Sequence, residues 1–301
     1  MWFKNLSIFR LTEAFTLTTE ELEEKLSTLA FRPCGSHDDF SLGWISPVGK
    51  NAPLVHSANG FMMVCSKKEE RVLPSSVLNE MLQEKIAETE ETESRKLSKK
   101  ERTAIKDELI FELLPRAFTF SRKLYAYIDV KNGFLVVDSA STNKAEDLVS
   151  LLRKCLGSLP AVPLNTKEKP IATMTEWLLT QQTPNDVKVE DECELRAPEE
   201  AGGVIRCKRH DLSLPEIKNH LDIGKQVIKL ALSWDNRMSF ILDENLSVKR
   251  LKFLDLVQDQ VTDSNSDDEA ARFDVDFSIM TLELANFIPR LLDIFGGELK
   301  A

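Results

Sequence analysis

The chain has 301 residues, with 39 Lys and Arg against 49 Asp and Glu, a formal net charge of −10 at pH 7. Hydrophobic residues make up 42% and charged ones 29%, which fits a folded globular chain and excludes disordered and collagen-like classes. The negative sum by itself points away from nucleic acid, whose phosphates are bound by Lys and Arg releasing condensed counterions.

Length allows about one to three domains. Apolar runs such as Phe134 to Val137 fall far short of the ~20 residues that span a bilayer, so no membrane partner is expected. Met1-Trp2-Phe3-Lys4-Asn5-Leu6 has no signal-peptide pattern. The five cysteines are widely spaced with no CxxC pair. That predicts reduced thiols in a cytoplasmic protein, with neither disulfide nor structural zinc.

In chain order, Trp2 to Leu11 reads as a strand. Thr18 to Phe31 reads as a helix with Leu22, Leu26 and Leu29 on one face. Phe61 to Ser66 is a strand. Residues 75–114 are strongly helical, but Glu88 to Arg102 is nearly all charged or small. A stretch polar all round is not held by a core, so the expectation is two helices with a projecting polar middle, or one long projecting helix. Phe118 to Val137 reads as a hairpin turning at Lys131-Asn132-Gly133, where Asn and Gly tolerate the positive φ of a two-residue turn.

Thr142 to Leu156 is a helix, with Thr142 as its N-cap and Gly157 at its end. Residues 171–200 are mixed. Gly203 to Lys208 is a strand, and Ser213-Leu214-Pro215-Glu216 has a capping-box pattern. Gln226 to Trp234, Met238 to Leu242 and Leu246 to Phe253 read as an antiparallel meander, followed by a helix from Phe277 to Phe295. Segments 1–74, 75–114, 115–170 and 171–301 are the expected organisation. The fold class is α+β, with mixed and antiparallel sheets and flanking helices.

The charge is segregated along the chain. Asp186 to Glu200 holds seven acids and two bases, and Asp255 to Ser278 holds eight acids and one base. The remainder is slightly basic, and Arg206 to Lys252 has ten bases against six acids. Each acidic run is either a solvated face or an acidic exterior set against a basic interior.

Enzyme signatures are scarce. No GxGxxG, GxxxxGK[ST] or GxSxG occurs. Cys34-Gly35-Ser36-His37-Asp38-Asp39 reads as a polar turn, and Asp274 with Asp276 is the one paired-carboxylate pattern open to a nuclease reading. No catalytic residue, metal or cofactor is expected. Three basic groups stand out: Arg95, Lys96, Lys99 and Lys100 in the helical segment; Arg116 beside Phe118; and Arg206, Lys208, Arg209 and His210. An aromatic beside cations can stack on a base or wedge between base steps, although Phe118 is equally open to a core role.

Several blocks now align with a known family. Met1-Trp2-Phe3-Lys4-Asn5-Leu6, Phe31-Arg32-Pro33-Cys34-Gly35, Leu114-Pro115-Arg116-Ala117-Phe118, Leu156-Gly157-Ser158-Leu159-Pro160, Gly202-Gly203-Val204-Ile205-Arg206, Arg250-Leu251-Lys252-Phe253 and Gly296-Gly297-Glu298 together resemble the bacterial recombination-associated RdgC family. The resemblance implies a non-enzymatic, nucleoid-associated protein whose horseshoe-like subunits form a ring-shaped homodimer around double-stranded DNA. It implies little sequence preference, and limited access of the RecA recombinase to DNA. It also assigns DNA-binding importance to the positions of Arg95, Phe118, Arg209 and His210, the last standing where glutamine is expected. The alternative is a protein-interaction module that inhibits the recombinase by direct contact through the acidic runs.

Overall fold

Two antiparallel sheets share one long helix in the computed structural model, which describes residues 1–199, 202–257 and 269–299. Of the acidic-run residues, Glu200, Asp259, Asp263, Asp267 and Asp268 lie outside the described residues.

The first sheet contains β1 (Ser7–Leu11), β2 (Phe40–Ile45), β3 (Val55–Ala58), β4 (Phe61–Val72), β5 (Phe118–Asp129), β6 (Phe134–Val137) and β7 (Ala161–Pro163). Its order is β2-β4-β5-β6-β1-β7, with β3 also on β4. The second contains β8 (Val187–Arg196), β9 (Val204–Lys208), β10 (Gln226–Trp234), β11 (Met238–Asp243) and β12 (Val248–Phe253), ordered β12-β11-β10-β8-β9. Every ladder among the described residues is antiparallel. The expected mixed sheets are therefore corrected. Parallel pairing is confined to an isolated Ala30–Trp44 bridge.

Period-two alternation gives the first sheet two apolar faces. One packs Trp44, Val64, Ala126, Ile128 and Leu135 against α1 (Thr19–Ser27) and α4 (Thr142–Leu156) through Leu22, Leu26, Leu148 and Leu152. On the other, Met63, Tyr127 and Val136 join a core with the second sheet, α5 (Pro170–Thr180), α6 (Pro215–Asp222) and α7 (Glu269–Ile294). Phe277, Met280, Leu284, Phe287 and Leu291 line α7 at spacings of three and four and lie between the sheets' apolar residues. This helix starts eight residues earlier than Phe277, because Phe273 extends the stripe and Glu269 suits the positive N-terminal end.

Several local expectations change. Residues before Ser7 leave the first sheet: Leu6 exchanges backbone hydrogen bonds with Val248, and Trp2 packs on Phe253 at 4.6 Å. The β5–β6 loop has four residues, since Asp129 pairs with Phe134, and only Gly133 takes positive φ. The Asp129 carboxylate accepts from Asn132 N–H, so Asn132 serves as a hydrogen-bond donor without adopting the left-handed conformation. Ser141, not Thr142, precedes α4, and Leu214 precedes α6. The Ser213 hydroxyl donates to Asp211, which diverts it from a capping box.

Residues 75–114 form a helical hairpin, α2 (Ser75–Glu93) and α3 (Lys99–Leu113), inserted between β4 and β5. Ser94 turns the chain with φ +51°, and Ser98 and Glu101 form a capping box that starts α3. Buried Ile86, Leu97 and Leu109 hold the pair together. The polar middle expected from sequence is the turn of this hairpin.

Candidate nucleic-acid interface

Strands β4 and β5 pair over twelve residues, from Phe61 opposite Asp129 to Val72 opposite Phe118. One end is core. At the other, the first six residues of β5 are exposed. Alternation puts Phe118, Phe120 and Arg122 on one face, opposite Val72, Glu70 and Lys68, with Phe40 of β2 beside Glu70. Phe118 is 88% exposed and belongs to no core. The Arg122 guanidinium lies 5.0 Å from the Phe120 ring, and Lys68 Nζ lies 4.9 Å from Phe40. This aromatic and cationic tip encloses a shallow groove of about 380 Å³.

Arg71 fixes the tip to the hairpin. Its guanidinium donates to the carbonyls of Gly35 (2.9 Å), Leu114 (2.8 Å) and Ala117 (3.2 Å). These acceptors flank the short 3₁₀ turn Leu114–Arg116, which presents the exposed Arg116 side chain. Sequence reading missed Arg71, because its acceptors are backbone oxygens brought in from two distant segments. It also passed over Phe120 and Phe40, although the Phe-Thr-Phe-Ser-Arg alternation from Phe118 was visible.

At the far turn of the hairpin, Arg95 is paired with both Glu93 and Glu101 at 2.6 Å. That pairing and Ser98 pull the Glu101 carboxyl down to about 2. Arg102 pairs with Glu90 at 3.0 Å. Lys96, Lys99 and Lys100 are exposed and have no acidic partner within 4 Å among the described residues. The 15 residues of α3 put this turn roughly 22 Å from Arg116 at 1.5 Å per residue. The candidate cations therefore do not form one patch.

The third group lies on the edge of the second sheet. Arg206 and Lys208 stand directly across from Glu194 and Glu192. Arg206 Nε is 3.1 Å from Glu194, which also accepts from Lys229 Nζ at 3.0 Å. Burial works against the Glu194 charge, yet Lys229 and Arg206 hold its carboxyl below the usual range. Glu192 lies 3.9 Å from Lys208 and 2.5 Å from Arg250, which reaches over from β12 across two intervening strands. His210 pairs with Glu216. Arg209 has φ +52°, at a bulge where His210 N–H donates to Asp191. It has no acidic partner within 4 Å among the described residues.

The first acidic run is therefore not a surface apart from the bases. Cross-strand pairing interleaves the two signs, and the expected segregation into an acidic exterior and a basic interior does not hold there. Asp186 follows the same pattern: its carboxylate accepts from Arg290 at 2.8 Å and from Trp234 at 3.0 Å, and Arg290 pulls its pKa down to about 2.

Asp274 and Asp276 do not converge. Two positions apart on a helix, their side chains diverge by about 200°. Asp274 lies 3.1 Å from His56, and Asp276 pairs with the Met1 ammonium. In the 34–39 turn, Asp38 accepts from Gly35 N–H, and His37 stacks on Phe111 at 4.1 Å. Among the described residues, no helix is long and apolar enough to cross a membrane.

Comparison with known proteins accounts for this arrangement as a whole. The family model described as "Putative exonuclease, RdgC" matches residues 1–298. The recombination-associated protein RdgC of Aeromonas hydrophila is 49% identical over 299 residues, 99% of each chain. That of Tolumonas auensis is 50% identical over 299 residues, again 99% of each chain. That of Pseudomonas aeruginosa is 46% identical over 300 residues, 99% of this chain and 98% of the relative. The chain belongs to the RdgC family of recombination-associated proteins.

Proposed function

We propose that this protein binds double-stranded DNA without sequence preference, as a homodimer that closes around the duplex, and so limits access of the RecA recombinase to DNA. Single-stranded DNA is a further candidate ligand for the same cations. The observation that carries the reading is the set of exposed cations without acidic partners among the described residues: Lys96, Lys99, Lys100, Arg116 and Arg209. They sit on a helical hairpin, a tight turn and a strand bulge. None is arranged to read a base edge in a fixed geometry. Contacts of this kind position DNA without specifying it. Phe118 supplies a stacking or wedging surface beside Arg116.

The dimer follows from the distribution. One protomer spreads its cations over separate elements, and a two-fold axis repeats each of them. The exposed apolar tip of Phe40, Val72, Phe118 and Phe120 is a surface suited to contact with a second copy. The action is not enzymatic in this reading, since the diverging Asp274 and Asp276 are engaged with His56 and the Met1 ammonium. Its place is the cytoplasm, on the nucleoid. Recombinase inhibition through the acidic runs is less well supported, because Asp186, Glu192 and Glu194 are already occupied by Arg290, Arg250 and Arg206.

A mobility-shift titration of mixed-sequence duplexes across salt, with light scattering for solution mass, tests the reading. Steep loss of affinity with salt, equal for all sequences, together with a dimer mass is expected. A flat salt dependence or a strictly monomeric mass would refute it.

A further inference from the structure

Cys193 and Cys207 stand directly opposite one another in the β8–β9 ladder. Opposed residues in such a ladder have Cα atoms about 4.5–5.5 Å apart. That lies inside the roughly 4.4–6.8 Å span of disulfides. Both side chains point to the core-facing side of the sheet. Cys193 is buried, and Cys207 packs against the same cluster while staying partly exposed. The two thiols also interact directly. Burial first, and Cys207 second, push the Cys193 thiol up to about 12. Cys34, Cys65 and Cys155 lie on other elements, and no ladder among the described residues sets any of them opposite a cysteine.

We infer that Cys193 and Cys207 form a peroxide-sensitive dithiol that closes reversibly to a cross-strand disulfide. Strand β9 is the edge of its sheet, so the partly exposed Cys207 meets the oxidant first. The Cys207 thiolate attacks hydrogen peroxide. An S–O bond forms, the O–O bond breaks, and the departing hydroxide leaves as water. Cys207 is then a sulfenic acid, oxidised by two electrons, and the peroxide is reduced. Cys193 gives up its proton and attacks that sulfur. The S–S bond forms, the S–O bond breaks, and hydroxide takes the proton to leave as a second water. A cytoplasmic protein is a suitable setting, because disulfides there are transient and redox-responsive. The bond would fall between the Glu192–Lys208 and Glu194–Arg206 pairs, fixing the edge strand that leads to Arg209. The inference does not rest on the DNA-binding reading.

The test treats reduced full-length protein with hydrogen peroxide, blocks remaining thiols and maps the peptides by mass spectrometry. Free thiols are expected to fall from five to three. Linked Cys193 and Cys207 peptides should appear, and dithiothreitol should restore all five thiols. Cys207→Ala should abolish the link and leave the other thiols unchanged. Cys193→Ser should leave a Cys207 sulfenic acid that dimedone traps. If burial makes Cys193→Ser fail to fold, the wild-type map and Cys207→Ala decide. Survival of all five thiols, a link between other cysteines, or a wild-type Cys207 sulfenic acid that never closes would overturn the inference.

Discussion

Replacing Glu192 and Glu194 together by glutamine should strengthen DNA binding and steepen its salt dependence. Glu194 neutralises Arg206 and Lys229, and Glu192 engages Lys208 and Arg250. Glutamine keeps the shape and an acceptor oxygen but removes the charge. If one cation of each pair then reaches a phosphate, two contacts are added per protomer. Each contact adds about 0.9 to the slope of log affinity against log salt. Two contacts therefore add about 1.8, so raising salt from about 50 to 200 mM costs the variant about 12-fold more affinity than wild type. The structural penalty is small. Arg206 and Lys229 are 67% and 37% exposed and rehydrate when released. Exposed pairs contribute only about 0.2–1 kcal/mol. Fluorescence anisotropy with a mixed-sequence duplex at several salt concentrations measures the slope. Glu20→Gln with Glu24→Gln on α1 changes the net charge equally and serves as control. An unchanged slope, or an equal change in the control, would refute the reasoning that these acids mask cations locally.

Phe118→Ala should leave stability within about 0.5 kcal/mol of wild type, as substitution of a residue outside the core does. Duplex affinity should fall by about 1–3 kcal/mol if the ring stacks on a base, and thermal melting beside a binding titration separates the two effects. Arg209→Ala should weaken binding to all sequences alike and flatten the salt slope by about 0.9; a loss confined to one sequence contradicts the phosphate role. Asp186→Asn should destabilise the protein at neutral pH but not in acid. The folded carboxyl is depressed to about 2 from 3.8, so its stabilisation is complete above roughly pH 4 and is lost as pH falls through about 2. Solvent around Arg290, which is 39% exposed, reduces the effect to about 1 kcal/mol. Urea midpoints of the two proteins should therefore converge toward pH 2; a gap independent of pH would count against the linkage.

Local signals explain how much of this was legible in the sequence. Helix α4 spans Thr142–Leu156 as its stripe of Leu148, Leu151 and Leu152 predicts, and the meander β10–β12 follows its turn chemistry. Strand β4 runs past Ser66 to Val72 because backbone pairing with β2 and β5 on its two sides sustains it where Lys67-Lys68-Glu69-Glu70 offers no apolar alternation. The site was less legible because its properties are relations between distant segments. Arg95, Arg206 and Lys208 are cations in any sequence reading. Only the chain reversals at Ser94 and between β8 and β9 set acids against them. Conversely, the exposure of Phe118 depends on where the β4–β5 ladder outruns its cores.

That pairing bears on why closure around DNA matters. Five cations per protomer lack acidic partners among the described residues, so a dimer offers about ten phosphate contacts at most. Contacts in that range lose roughly 10³–10⁵ in affinity between about 50 and 200 mM salt. An open clamp held by them would dissociate as salt rises. In a closed dimer, escape from circular DNA requires opening a protein–protein contact. The apolar tip at Phe40, Val72, Phe118 and Phe120 gives that contact little charge to screen. The two architectures therefore separate on DNA topology. After loading at low salt and a shift to high salt, protein should remain on circular plasmid and be lost from the same plasmid cut once, because a ring slides off an end. Equal loss from both forms would exclude encirclement while leaving phosphate binding intact. Equal retention on both would mean that the contacts are not chiefly electrostatic, and the unpaired cations would then no longer explain the binding.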